Sequence, residues 1–147
     1  MEDAPGREVP PAVVLDTNVV LDWLLFGDAA VASLAAAVRT GRVRWLACPR
    51  MRDELARAAA YPALAKWLPD SEHMLTEFDR WTAIRPPPAP SLVNPVCTDT
   101  DDQVFIDLAL AEAARWLVTR DHALLKLARK AAARGVRIVT PAAWTID

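Results

Sequence analysis

Four acids occupy positions from which a carboxylate can do chemistry. Asp16 ends the apolar run Ala12-Val13-Val14-Leu15, and Asp121 ends Trp116-Leu117-Val118-Thr119-Arg120. Glu54 lies in Met51-Arg52-Asp53-Glu54-Leu55, and Asp102 closes Asp99-Thr100-Asp101-Asp102. Each has an ordinary explanation. A strand-end acid caps the helix that follows, first-turn acids complement the helix dipole, and a helical glutamate is commonly solvated. Together they allow more. Clustered carboxylates repel one another and retain protons unless a cation neutralises them. Carboxylate and water oxygens suit Mg²⁺ or Mn²⁺. A cation so held generates a hydroxide and clamps a phosphate oxygen, which is chemistry suited to a phosphodiester.

The elements that must position these acids follow from patterning. Val19 to Phe26 reads as a short helix, and Ala29 to Thr40 as a second, closed by Gly41. Val43 to Ala47 is a strand candidate, and Pro49 opens a helix that runs to about Ala60, before Pro62. Asp70-Ser71 starts another helix, with Met74, Leu75, Phe78 and Trp81 on one side. Thr82 to Arg85 is at best a short strand, and Pro86 to Pro90 an extended spacer crossing one end of the sheet. A helix from Asp99 to about Ala114 carries Val104, Phe105, Leu108, Ala111 and Ala114 inward. Strand Trp116 to Thr119, helix 122–134, strand Val136 to Val139 and a turn Pro141 to Trp144 complete the chain.

Strands alternating with helices predict an α/β fold with a mostly parallel sheet and helices on both faces. Asp16 and Asp121 then share its carboxyl edge, where open sheets bind ligands. At 147 residues and 53% hydrophobic content, one domain with a full core is expected: residues 12–147, after a flexible segment 1–11.

No apolar run reaches the roughly 18 residues of a membrane span. The first ten residues lack the order of a signal peptide, so a cytoplasmic location is expected. Cys48 and Cys97 form no metal-type pair and read as small apolar residues. With two histidines, a zinc–histidine site is disfavoured. The tryptophans show no paired spacing and read as packing. Net charge is −2, yet its distribution is uneven. Six arginines lie between Arg39 and Arg57, and seven basic residues between Arg115 and Arg137. Basic surfaces around an acidic centre suit an anionic polymer; arginines solvating helix faces explain the same pattern. Arg50 and Arg57, on the helix face of Glu54, and Arg120 are the candidate contacts to a phosphodiester backbone.

The order of motifs resembles the PIN domain family, and within it the toxins of bacterial type II toxin–antitoxin pairs (VapC-like). The resemblance rests on Asp16-Thr17-Asn18 after an apolar strand, Glu54 in the helix opened by Pro49, Asp99-x-x-Asp102 before an alanine-rich helix, and Thr119-Arg120-Asp121 before leucines. It spans about residues 12–145. It implies a three-layer α/β/α sandwich and a metal-dependent endoribonuclease leaving a 5′-phosphate and a 3′-hydroxyl. It assigns Asp16, Glu54, Asp102 and Asp121 as catalytic acids and ligands of Mg²⁺ or Mn²⁺. Asp16 and Asp121 hold the principal metal, and Asp102 completes the shell. Asp99 assists, and Thr17, Asn18 and Thr119 orient ligands. Asp101 and Asp107 receive no role. The resemblance further implies an RNA substrate, a cognate antitoxin and a homodimer.

Two other readings compete. A PIN fold that only binds RNA or a protein would favour loss of one of the four acids, and none is lost. A phosphatase of the HAD type would want a second acid two residues after Asp16, where Asn18 stands.

Overall fold

The computed structural model describes residues 9–146, without the side chains of residues 65–70. Most of the segment expected to be flexible, residues 1–8, lies outside the described residues.

Five short strands form one sheet: β1 (Ala12–Leu15), β2 (Arg44–Ala47), β3 (Thr82–Ile84), β4 (Trp116–Val118) and β5 (Arg137–Val139). Their order is β3-β2-β1-β4-β5, and every pair is parallel. All four residues of β1 and all three of β4 are buried. That is why these strands read as unbroken apolar runs rather than as alternation.

The helices are α1 (Thr17–Leu24), α2 (Ala32–Arg39), α3 (Pro49–Ala59), α4 (Leu68–Trp81), α5 (Gln103–Ala111), α6 (His122–Leu125) and α7 (Ala128–Ala132). The chain builds outward from β1 to β3, then returns across the sheet to add β4 and β5 on the other side. With right-handed crossovers, helices before and after that reversal cover opposite faces. α1, α3 and α4 accordingly pack on one another, while α5 packs on β1 and β4 and α7 on β5. The result is a three-layer α/β/α sandwich. The tryptophans pack on both sides: Trp45 meets Trp23 and Phe78 at 5.0 and 5.1 Å, and Trp116 meets Trp144 at 5.4 Å.

Several expected elements differ in bounds or continuity, and the short strand expected over Thr82 to Arg85 is present. The helix expected to reach Ala114 begins as a 3-10 turn, Thr100–Asp102, and ends at Ala111. There the chain reverses through Ala113 at φ 52°, and the Ala114 amide donates to the Ala109 carbonyl at 2.9 Å. A left-handed alanine costs about 1 kcal/mol. It turns Ala114 into the core and leaves Ala111, expected inward, exposed. The helix expected over 122–134 is two helices. The Leu127 amide donates to Leu124 three residues back, a tightened turn that buries both leucines. Thr82–Ile84 is a true edge strand, registered on β2 as Trp45↔Thr82, Leu46↔Ala83 and Ala47↔Ile84.

Among the described residues no single helix is long and apolar enough to cross a membrane. Cys48 and Cys97 are both buried and free.

Candidate metal centre

The reversal of strand order places β1 beside β4, and a crevice opens beyond their carboxyl ends. Asp16 and Asp121 enter it from those two strands. The Asp16 amide extends the ladder by donating to Val118 O at 3.2 Å. Its carboxylate caps α1, with Oδ1 accepting from Val19 N at 3.0 Å. Oδ2 accepts from the hydroxyl of Thr119, itself wholly buried at the end of β4. The same hydroxyl oxygen accepts from the Asp121 amide at 2.9 Å, and Asp121 Oδ1 caps α6 by accepting from Ala123 N at 2.9 Å. Capping and site geometry are therefore not alternatives: the caps aim the second oxygens.

The third contribution is the turn before α5. Asp99 accepts from the Asp101 amide at 3.0 Å and its carbonyl from the Asp102 amide at 3.1 Å. This local closure brings Asp99, Asp102 and Asp121 together, each with a carboxylate oxygen within 4.8 Å of the others. Glu54 comes from α3, where its Oε2 accepts from the Thr17 hydroxyl at 2.5 Å. The cleft between these segments has a volume of about 280 Å³ and is lined by the five acids, by Thr17 and Asn18, and by Asp101, Ala58 and Tyr61.

Proton affinities register the crowding. Burial pushes Asp16 up to about 6, against the lowering effect of Thr119, Val19 and Arg120. Asp102 is pushed up to about 8, first by burial, then by sharing a proton with Asp121 and by the charges of Asp121, Asp99 and Glu54. Asp121 is held below the usual carboxylate range, chiefly by that same hydrogen bond from Asp102 and by the Ala123 amide. An all-oxygen donor set, with no basic residue among those lining it, fits a hard divalent cation.

The basic residues expected to hold RNA do not line this cleft. Arg120 turns back onto α1 and pairs with Asp22 Oδ2 at 2.8 Å. Arg50 lines a separate cavity of about 210 Å³, with Cys48, Pro87, Pro88, Gln103 and Asp107. Arg57 is exposed on α3. Asp107, without a role in the sequence reading, accepts from Asn94 Nδ2 at 2.9 Å and Gln103 Nε2 at 3.0 Å, anchoring the segment before Asp99 to α5.

Asp101, which the sequence leaves without a role, lines the cleft beside the acids. Three further residues of this region escape the sequence reading. Ala58 follows Glu54 by four residues on the same helical face, and Tyr61 comes just past the end of that helix. Asp22 is the third: an acid inside Val19-Val20-Leu21-Asp22-Trp23-Leu24-Leu25, where the apolar context already called for a counterion.

Fold and cleft define a parallel α/β domain with an acidic centre at its switch point. The family model for the PIN domain matches residues 12–123, and the chain belongs to that family. No curated protein matches it. Among solved structures it is similar to a chain of VapBC2 from Rickettsia felis, crystallised bound to a DNA fragment from their promoter. The superposition has a TM-score of 0.58 and covers 91% of this chain and 99% of that one. At 15% identity, this likeness speaks for the fold.

Proposed function

We propose that this protein is a divalent-cation-dependent endoribonuclease and the toxin of a toxin–antitoxin pair. The observation that carries the reading is the convergence of Asp16, Glu54, Asp99, Asp102 and Asp121, from separate chain segments, on one cleft without a lining cation. Membership of the PIN domain family and the fold likeness to a VapBC2 chain support it.

Asp99, Asp102 and Asp121 would hold the ion, with Asp16 behind them. When bound, Mg²⁺ or Mn²⁺ supplies activation of a water and neutralisation of phosphate charge. The rest is done by the chain. Thr119 and the Val19 amide hold Asp16 to one orientation. Thr17 holds Glu54 by one oxygen, leaving Oε1 to orient the attacking water. The water oxygen would bond to phosphorus as the bond to the 3′-oxygen breaks, and a proton from that water would end on the departing oxygen, giving a 5′-phosphate and a 3′-hydroxyl. An antitoxin segment bearing an arginine would suit the same acidic cleft and block it.

Asp16→Asn tests the assignment, because asparagine caps a helix about as well as aspartate and so removes charge with little cost to the fold. Mn²⁺-dependent cleavage of unpaired RNA should fall on the order of a hundredfold or more, with an unchanged circular dichroism spectrum. Cleavage at the wild-type rate would sink the proposal.

A further inference from the structure

Tyr61 is the only tyrosine of the chain, and it stands 59% exposed at the lip of the acidic cleft. Of the other described aromatic side chains, Trp23, Trp45, Phe78, Phe105, Trp116 and Trp144 are buried in the core, Trp81 is half-buried, and Phe26, though exposed, does not line the cleft. An exposed aromatic ring beside a polar cleft has not been placed there by packing.

Its backbone is well held. The Tyr61 amide donates to Ala58 O at 3.2 Å, and its carbonyl accepts from Leu64 N at 2.8 Å. Pro62 follows, restricting the conformations open to Tyr61 itself. The hydroxyl has no hydrogen-bond partner among the described residues. The ring is thus presented from a fixed stem just past the end of α3, the helix that carries Glu54.

The cleft's electrostatics say what such a ring is for. Asp101, Asp99 and the other acids repel a phosphate everywhere except at a bound cation. Arg120 is engaged by Asp22, and Arg50 faces another cavity. Arg57 is exposed on α3 but does not line the cleft, so beyond a bound cation the contacts the lining itself offers a nucleotide are uncharged. An aromatic face offers one that every base can use. Bases in a duplex already have both faces stacked, so only an unpaired base can be received.

We propose that Tyr61 is the platform on which an unpaired RNA base next to the cleaved phosphate stacks, a substrate-positioning residue resting on the nuclease reading above. Full-length protein with Mn²⁺ and an unpaired oligoribonucleotide of about 12 nucleotides, carrying 2-aminopurine beside the cut, provides the test. Tyr61→Ala should raise KM roughly ten- to a hundredfold and abolish quenching of the 2-aminopurine. Tyr61→Phe should keep both close to wild type, because the ring and not the hydroxyl makes the contact. If wild type cleaves and Tyr61→Ala keeps its KM and quenching, the platform is wrong and the nuclease reading stands. If Tyr61→Phe fails as badly as Tyr61→Ala, the hydroxyl is the contact and stacking is overturned. If wild type neither binds nor cleaves this RNA, both readings fall together.

Discussion

Thr119 donates its hydroxyl to Asp16 across the β1–β4 pair, and the same oxygen receives the amide of Asp121. One side chain therefore sets the spacing of two strand-end acids that are 105 residues apart in sequence (121 − 16). Thr119→Val keeps the shape and removes both bonds, leaving a buried carboxylate and a buried amide without their partner. That should cost about 1–3 kcal/mol of stability, read as a lower urea midpoint. Thr119→Ser should restore most of it. A Thr119→Val protein as stable as wild type would mean that solvent already satisfies these groups.

Arg120 and Asp22 form the second brace of the β4 loop. Asp22 is nearly buried, with 9% of its side chain exposed, whereas Arg120 is 53% exposed. Burial raises the Asp22 carboxyl and Arg120 lowers it again. Removing the arginine strands a charge; removing the acid strands only a solvated guanidinium. Arg120→Gln should therefore destabilise by about 1–2 kcal/mol and Asp22→Asn by less. The double variant should lie closer to Asp22→Asn than the two single losses sum to. Strict additivity in denaturation midpoints would show that the pair is not coupled.

Much of this site was legible before any coordinates, and the reasons are specific. Asp16 announces itself because a buried parallel strand is a short apolar run and the first polar residue after it must sit at the carboxyl edge; Asp121 stands two residues past Thr119, the first polar residue after β4. That they are neighbours depends on the order β2-β1-β4, which no local pattern encodes. Helix α5 was overextended because Leu110-Ala111-Glu112-Ala113-Ala114 has high helix propensity throughout. The need to bury Ala114 and start β4 overrides it. That Arg120 braces Asp22, 98 residues away, is likewise not encoded locally. Tyr61 is not legible because it lies past the end of α3, where helical spacing from Glu54 no longer applies.

The proton that Asp102 retains gives the cleft a pH dependence of known sign. Its folded carboxyl titrates at about 8 against an ordinary value of 3.8, with burial as the leading cause. Between those values the folded state binds more protons than the unfolded one, so metal-free stability falls as pH rises and the loss is complete above about 8. Asp16, raised to about 6, acts in the same direction over the lower part of that window. Asp121 is shifted downward, so its opposing contribution is confined to pH below the ordinary carboxylate value and does not cancel the trend. The metal-free Tm should then decline from about pH 5 to about pH 8, and Asp102→Asn should flatten the upper part of that decline. A cation must displace the same proton, so Mn²⁺ affinity should climb with pH and level off once Asp102 is ionised. Calorimetry near neutral pH in two buffers of different ionisation enthalpy should detect about one proton released per ion, and fewer with Asp102→Asn. Binding that releases no proton in either buffer would place the cation away from Asp102.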